Sequence, residues 1–249
     1  MSITGTRGNR IMSGMDQLKI FRGEPYYITD KIIIKQPSLD EIVTYGEREY
    51  FSLVQTIAAT PADKKVEIWD SLGIYWDEMS EYDLFLSISR GLRDIDASII
   101  FPGLDFSSFR LVIDKNELIL RNRDGVEIDK TIYIFIADFI RQIHNFTKNQ
   151  ERGFDNYTKQ IMIEDDREEQ IKAARKPFQS VLLPLISSLT NCADFKYRFD
   201  DVWTLPIGAF LDAVKRLLKY HEYKNLMRGV YAGTIDVKKI NKKSLNWMS

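Results

Sequence analysis

The stretch Thr131 to Phe146 constrains this chain more than any other. Its apolar residues Ile132, Ile134, Phe135, Ile136, Phe139, Ile140 and Ile143 wrap most of the way round a helix. A helix without a broad polar side belongs in a bilayer or in the middle of a packed core. Asp138, Arg141, Gln142 and His144 interrupt the run, and a bilayer span requires about 20 apolar residues. The rest of the chain is therefore expected to surround a helix at about Lys130 to Phe146. With 249 residues it can bury roughly 70–75% of the surface of its unfolded form, so folding requires no disulfide or metal.

The surrounding elements are signalled locally. Leu18 to Arg22 and Tyr26 to Lys35 are read as short strands joined at Gly23-Glu24-Pro25, with β-branched Ile32, Ile33 and Ile34 suited to a pleated surface. Ser38-Leu39-Asp40-Glu41 is a capping box that starts a helix to about Ala59. Leu39, Ile42, Val43, Gly46, Tyr50, Leu53, Val54 and Ile57 share one side of it. Thr60-Pro61 starts a second helix that Gly73 ends, and Ser80 caps a third over Glu81 to Leu92. Phe109 to Asp114 and Glu117 to Asn122 flank a Lys115-Asn116 turn, and Asp124-Gly125 leads into Val126 to Ile128, predicting a meander.

Beyond the apolar helix, Lys148 to Tyr157 is polar and contains Gly153. Met162 to Lys176 reads as a charged helix broken by Pro177, and Phe178 to Thr190 as an apolar helix kinked at Pro184. Thr204 and Pro206 open a last long helix that turns Phe210, Leu211, Val214, Leu217 and Leu218 inward. The expected fold class is α+β, mainly α-helical, with two small antiparallel β elements near 18–35 and 109–128. The expected division is a flexible arm over 1–17, an α+β domain over 18–147, a linker over 148–160, and a helical C-terminal region over 161–249 packed on the first domain.

The chemistry-bearing residues are sparse. Lys and Arg number 35 against 36 Asp and Glu, a net charge of -1 that excludes a polycation for duplex nucleic acid. The single cysteine, Cys192, cannot bridge internally, which suits a reducing compartment. The two histidines are His144, near a helix C-terminus that favours a cationic ring, and His221 on a basic helix. Cys192 has no histidine near it in sequence, and neither a nucleophile elbow nor a His-x-x-x-His or C-x-x-C spacing occurs. Glu164 with Glu168, and Asp165 with Glu169, share helix faces where a divalent ion could bridge them. A solvated helix relieved by Arg167 and Lys172 explains the same pattern. Helix capping accounts for most of Asp77, Glu78, Glu81 and Asp83. Gly5-Thr6-Arg7-Gly8 lacks the context of a phosphate loop. Lys238, Lys239, Lys242 and Lys243 beside Trp247 read as a soluble terminal face rather than a nucleic-acid contact. No catalytic, cofactor or metal residues are assigned and no enzymatic activity is expected. Surface is what remains, with Tyr26, Tyr27, Trp76, Trp203 and Trp247 as candidate contact aromatics beside turns and helix ends.

Several phrases carry a resemblance. They include Leu18-Lys19-Ile20-Phe21-Arg22-Gly23, Ile32-Ile33-Ile34-Lys35-Gln36-Pro37 and the stretch Glu41 to Phe51. Ala59-Thr60-Pro61-Ala62-Asp63, Ser80 to Phe85, Lys159 to Arg167, Leu182-Leu183-Pro184-Leu185-Ile186-Ser187 and Gly233 to Met248 complete the set. As a set they resemble tail assembly chaperone-like proteins from the tail-morphogenesis region of long-tailed phages of Gram-positive bacteria. The resemblance implies a non-catalytic protein of the host cytoplasm that binds tape-measure or tail-tube polypeptides before they polymerise. The alternative it leaves is a structural virion component of the tail or connector. A metal-dependent enzyme using Glu164 to Glu169 ranks below both. No membrane partner is expected, and self-association is left open.

Overall fold

The computed structural model describes residues 15–236, 240–241 and 245–248. The expected N-terminal arm lies outside them up to residue 14, as do Lys238, Lys239, Lys242 and Lys243. The chain is 56% helical with two small antiparallel sheets, one of two strands and one of three, as the expected fold class requires.

The first element corrects the sequence reading. Gln17–Phe21 is helix α1 and not a strand. Asp16 accepts hydrogen bonds from the Leu18 and Lys19 amides at 3.0 and 3.4 Å, and Gly23, at φ +77°, stops the helix. A five-residue apolar–polar alternation fits either structure, and here the cap decides. The small sheet therefore consists of β1 (Tyr26–Tyr27) and β2 (Ile33–Ile34) alone, with Tyr26 opposite Ile34.

The capping box at Ser38 forms as read, but the helix it starts is two. Helix α2 (Leu39–Tyr45) ends at Gly46, whose φ of +107° breaks the backbone, and α3 runs Glu47–Ala58. The break changes the helical phase. Leu39, Ile42, Tyr50, Leu53, Val54 and Ile57 are buried, whereas Val43 is 57% exposed. A 3-10 turn at Pro61–Lys64 leads into α4 (Lys65–Leu72), capped by left-handed Gly73. Helix α5 (Glu81–Ile88) starts at Ser80 and stops short of the expected Leu92, which lies in a 3-10 turn. The meander is β3 (Arg110–Asp114), β4 (Glu117–Arg121) and β5 (Glu127–Ile128). Lys115 and Asn116 both take positive φ, 46° and 70°, as a two-residue hairpin turn matched to strand twist demands.

Helix α6 (Lys130–His144) is the centre of the core. Phe139 stacks on Tyr26 with ring centroids 5.0 Å apart, and Tyr133 stacks on Phe85 at 4.5 Å. Arg141 is buried, yet it is paired. Its guanidinium donates to the Ala58 carbonyl at 3.0 and 2.7 Å and lies 2.8 Å from Glu81. It thus satisfies an orphan carbonyl at the C-terminal end of α3.

Helix α7 (Asn156–Ala174) begins inside the expected linker, because Asp155 caps it through the Thr158 amide. Only Ile163 of this helix is buried. Ion pairs hold the rest against α4 and the 75–78 turn, with both Arg167 NH groups 2.7 Å from the Asp70 carboxylate and Lys159 2.6 Å from Asp77. Helix α8 (Leu182–Thr190) starts four residues later than the expected Phe178, which takes Pro184 out of its interior. The proline occupies the third helical position, where an N–H would have no intrahelical acceptor anyway. The short α9 (Phe199–Val202) precedes α10 (Ile207–Tyr231). Three backbone hydrogen bonds seam α10 to the start of α2: Leu39 N to Leu205 O, Asp40 N to Trp203 O, and Ile207 N to Pro37 O, at 2.9–3.1 Å. A Cβ at Gly208 would meet Gln36 Oε1 at 2.6 Å and Ile143 Cβ at 3.3 Å, so α10 approaches α6 closely there.

Candidate functional site

The outward side of α3 carries Arg48, Phe51, Ser52, Gln55 and Thr56 at helical spacing, half-buried or exposed. Two cavities lie along it. One, of about 310 Å³, lies between this side and the segment bearing Phe178 and Val181. The other, of about 470 Å³, continues past Ala58 and Ala59 to Arg141 and Phe146. Gln55 and Lys64 line both cavities, so the two adjoin along α3 as neighbouring stretches of one side of the helix. The groove they outline runs from Arg48 to Ala59 along about 16 Å of helix, or three turns.

The walls of the groove are fixed by specific bonds. Glu47, at the start of α3, accepts the first amides of α8, from Val181 at 2.6 Å and Leu182 at 2.8 Å, and so holds one wall. Arg141 fastens the far end to α6. Phe178 and Val181 remain more than half exposed at one end, and Phe146 is half-buried at the other. The polar lining carries Arg48, Lys64 and Arg141 against Asp63, with Lys64 3.1 Å from Glu67 and Arg141 paired to Glu81, which leaves Arg48 as the one of these three cations without a carboxylate partner among the described residues. The Asp63 carboxylate already accepts the Thr60 amide and hydroxyl, each at 2.8 Å. An apolar-ended trough with basic residues along it suits an amphipathic helix that carries acidic side chains on its polar face.

The residues weighed from sequence fall elsewhere. His144 is buried and neutral, a correction to the cationic ring expected at a helix end. Burial pushes its pKa down to about 4 against a smaller opposing effect of the Ile140 carbonyl. Its Nδ1 lies 2.7 Å from that carbonyl and so carries the proton, which leaves Nε2 to accept the Tyr50 hydroxyl at 2.7 Å. The acidic run on α7 is dispersed among cations. Glu164 lies 3.3 Å from Arg167, Asp166 lies 3.0 Å from Lys65, and Glu168 lies 3.2 Å from Lys172. Lys65 is itself buried and also bonded to Glu151. Burial alone would lower the Lys65 pKa, but its two carboxylate partners outweigh that and raise it. In the 77–83 group, Glu78 accepts the Tyr75 amide at the start of its 3-10 turn and Asp83 accepts the hydroxyl of the Ser80 cap, while Asp77 and Glu81 reach across to Lys159 and Arg141. Tyr26 and Trp76 are core residues, and the Trp76 indole donates to the Glu151 carbonyl at 2.9 Å. Trp203 and Trp247 are half-buried, and Tyr27 is exposed.

One constellation was not visible from spacing. The turn after α8 places Cys192 Sγ 3.6 Å from His221 Nε2 on α10, and Asp194 Oδ2 3.5 Å from the same nitrogen. Lys224 lies 3.1 Å from that carboxylate oxygen. Beside this cluster is a cavity of about 380 Å³ lined by Phe195, Tyr197, Leu217, Tyr220 and Trp247, with the Tyr220 and Trp247 rings edge to face at 5.1 Å.

The architecture is thus a helical protein with an open groove along α3 and a separate polar cluster in its C-terminal layer. Residues 179–249, which take in α8 to α10, match the family model of the YomV second domain, a phage-associated family. That match supports a phage-related protein. No curated protein and no solved structure matches the chain. Among the described residues, no helix is long and apolar enough to cross a membrane.

Proposed function

We propose that this protein is a non-catalytic phage tail assembly factor of the chaperone kind. It acts in the host cytoplasm, and its partner is an amphipathic helical segment of a tape-measure or tail-tube polypeptide, held in the α3 groove until polymerisation. The observation that carries the reading is the adjacency of the two cavities at Gln55 and Lys64, with Phe178, Val181 and Phe146 as apolar ends. Three turns of helix is a length over which anchors at i, i+4 and i+7 can engage. The match of the C-terminal part to a phage-associated family agrees with this reading, as does the resemblance noted from the sequence.

Co-expression with the tape-measure and tail-tube proteins, followed by affinity capture, tests it. The full chain is expected to co-purify with one of them and raise its soluble fraction. The double variant Phe51→Glu/Val181→Asp, which places two anions in the trough, is expected to lose at least about tenfold of the captured partner, the effect of about 1.4 kcal/mol. Capture of neither protein, or capture unchanged in the double variant, overturns the proposal. Mass spectrometry of purified particles separates the alternative, since a structural tail or connector component stays in the virion and a chaperone does not.

A further inference from the structure

We propose that Cys192, Asp194 and His221 form a mononuclear zinc site with an open fourth position, which ties the turn after α8 to the middle of α10. This assignment stands independently of the groove reading.

The donor set is the first reason. A thiolate, an imidazole and a carboxylate are ligands that a borderline-soft divalent ion such as Zn²⁺ accepts together. Geometry is the second. Tetrahedral zinc, with bonds of about 2.3 Å to sulfur and about 2.0 Å to nitrogen and oxygen, holds its donor atoms roughly 3.3–3.6 Å apart. Here Sγ and Nε2 are 3.6 Å apart and Nε2 and Oδ2 are 3.5 Å apart, and all three atoms lie within 4.8 Å of one another. The third reason is a mismatch in hydrogen bonding. Sulfur and carboxylate converge on the same ring nitrogen, whose one N–H or one lone pair they would have to share at the long distances of 3.6 and 3.5 Å. A Ser–His–Asp-like relay would instead put the acid on Nδ1. A single cation between the three atoms satisfies all of them.

The surroundings permit the ion. All three residues are half-buried, so solvent reaches the fourth position. Lys224, 3.1 Å from Asp194 Oδ2, holds that carboxylate beside the other two donors. On binding, the Cys192 thiol proton passes to solvent, and the thiolate, the carboxylate and neutral His221 balance the charge of Zn²⁺. Lys224 then gives up the carboxylate oxygen it holds. Among the described residues, these three are the only ones that form such a converged group of three or more His, Cys, Asp or Glu.

The test is titration of the full chain, kept reduced, with Zn²⁺ by calorimetry and with Co²⁺ by absorption. The expected result is one saturable site whose Co²⁺ form shows tetrahedral d–d bands and a thiolate charge-transfer band. Cys192→Ser is expected to abolish the charge-transfer band, and Cys192→Ser and Asp194→Asn to weaken Zn²⁺ binding by at least about 10–100-fold, the loss seen even for residues that only support ligands. Lys224→Ala, which frees the carboxylate, is expected to tighten binding. Glu164→Ala/Glu168→Ala is expected to leave it unchanged. Absence of saturable Zn²⁺ binding by the unaltered chain overturns the proposal, as does an octahedral Co²⁺ spectrum without charge transfer, or a loss confined to the Glu164→Ala/Glu168→Ala variant.

Discussion

Helices α6 and α10 are both long, and they are stabilised in opposite ways. In α6, nine of 15 residues are buried, on several sides. In α10, 25 residues long, only Ile207 and Phe210 are buried, both in its first turn. Beyond that turn Leu211, Val214 and Leu217 pack half-buried against the core, and α10 is otherwise held by Asp194 to Lys224 and by Trp247 against Tyr220. Burying apolar area stabilises by roughly 25 cal/mol per Å², so α6 governs whether the chain folds. Helix α10, half-buried or exposed over most of its length, carries less of that burial.

Substitutions can break that contrast. The largest effect is expected at Phe139→Ala, which removes the ring stacked on Tyr26 and should cost about 3–5 kcal/mol in denaturant unfolding. Acid is the next lever. His144 has a folded pKa of about 4, below its ordinary 6.5, so the unfolded chain binds the extra proton between those values. Stability is therefore complete above about pH 6.5 and lost as pH falls through about 4. The full difference is on the order of 3 kcal/mol, and the double variant Tyr50→Phe/His144→Leu should flatten this part of the profile. Arg141→Met, which uncovers the Ala58 carbonyl and leaves Glu81 with Lys148 alone, should cost about 2–3 kcal/mol. The smallest effect sharpens the comparison from the other side. Leu218→Ala on α10, at a side chain 62% exposed, should change stability by no more than about 0.5 kcal/mol in the same assay. A cost near that of Phe139→Ala would erase the distinction between the two helices.

The central helix was legible because apolar residues over most of its circumference leave it one soluble environment, although Ile134, read as part of that surface, lies on the open stripe and is 42% exposed. The meander was legible because a Lys-Asn pair between alternating runs has a turn type of its own. Local readings failed where one residue changed the frame. Asp16 turned a strand into α1, Gly46 divided one helix into two and put Val43 in water, and Pro184 was harmless because it fell in a first turn. The candidate sites were not legible, for a different reason. The α3 groove is built from the polar side of a helix read for its apolar side, together with residues more than a hundred positions downstream. Cys192 and His221 are 29 residues apart, and no short spacing rule connects them across a helix, a turn and a second helix. The signal available was only that the lone cysteine and a histidine both lay in the C-terminal region.

The seam between residues 203–207 and 37–40 is made of peptide groups alone. Amides and carbonyls are common to nearly every residue, so the hydrogen bonds of this joint survive changes of side chain around it, while Leu39 and Ile207 within it are fully buried and fixed by packing. A lineage could therefore diversify the C-terminal layer, and with it whatever that layer recognises, while the docking register against the conserved-by-geometry helix start stays put. Insertion or deletion within 203–207 would do what substitution cannot, and throw α10 off its seat.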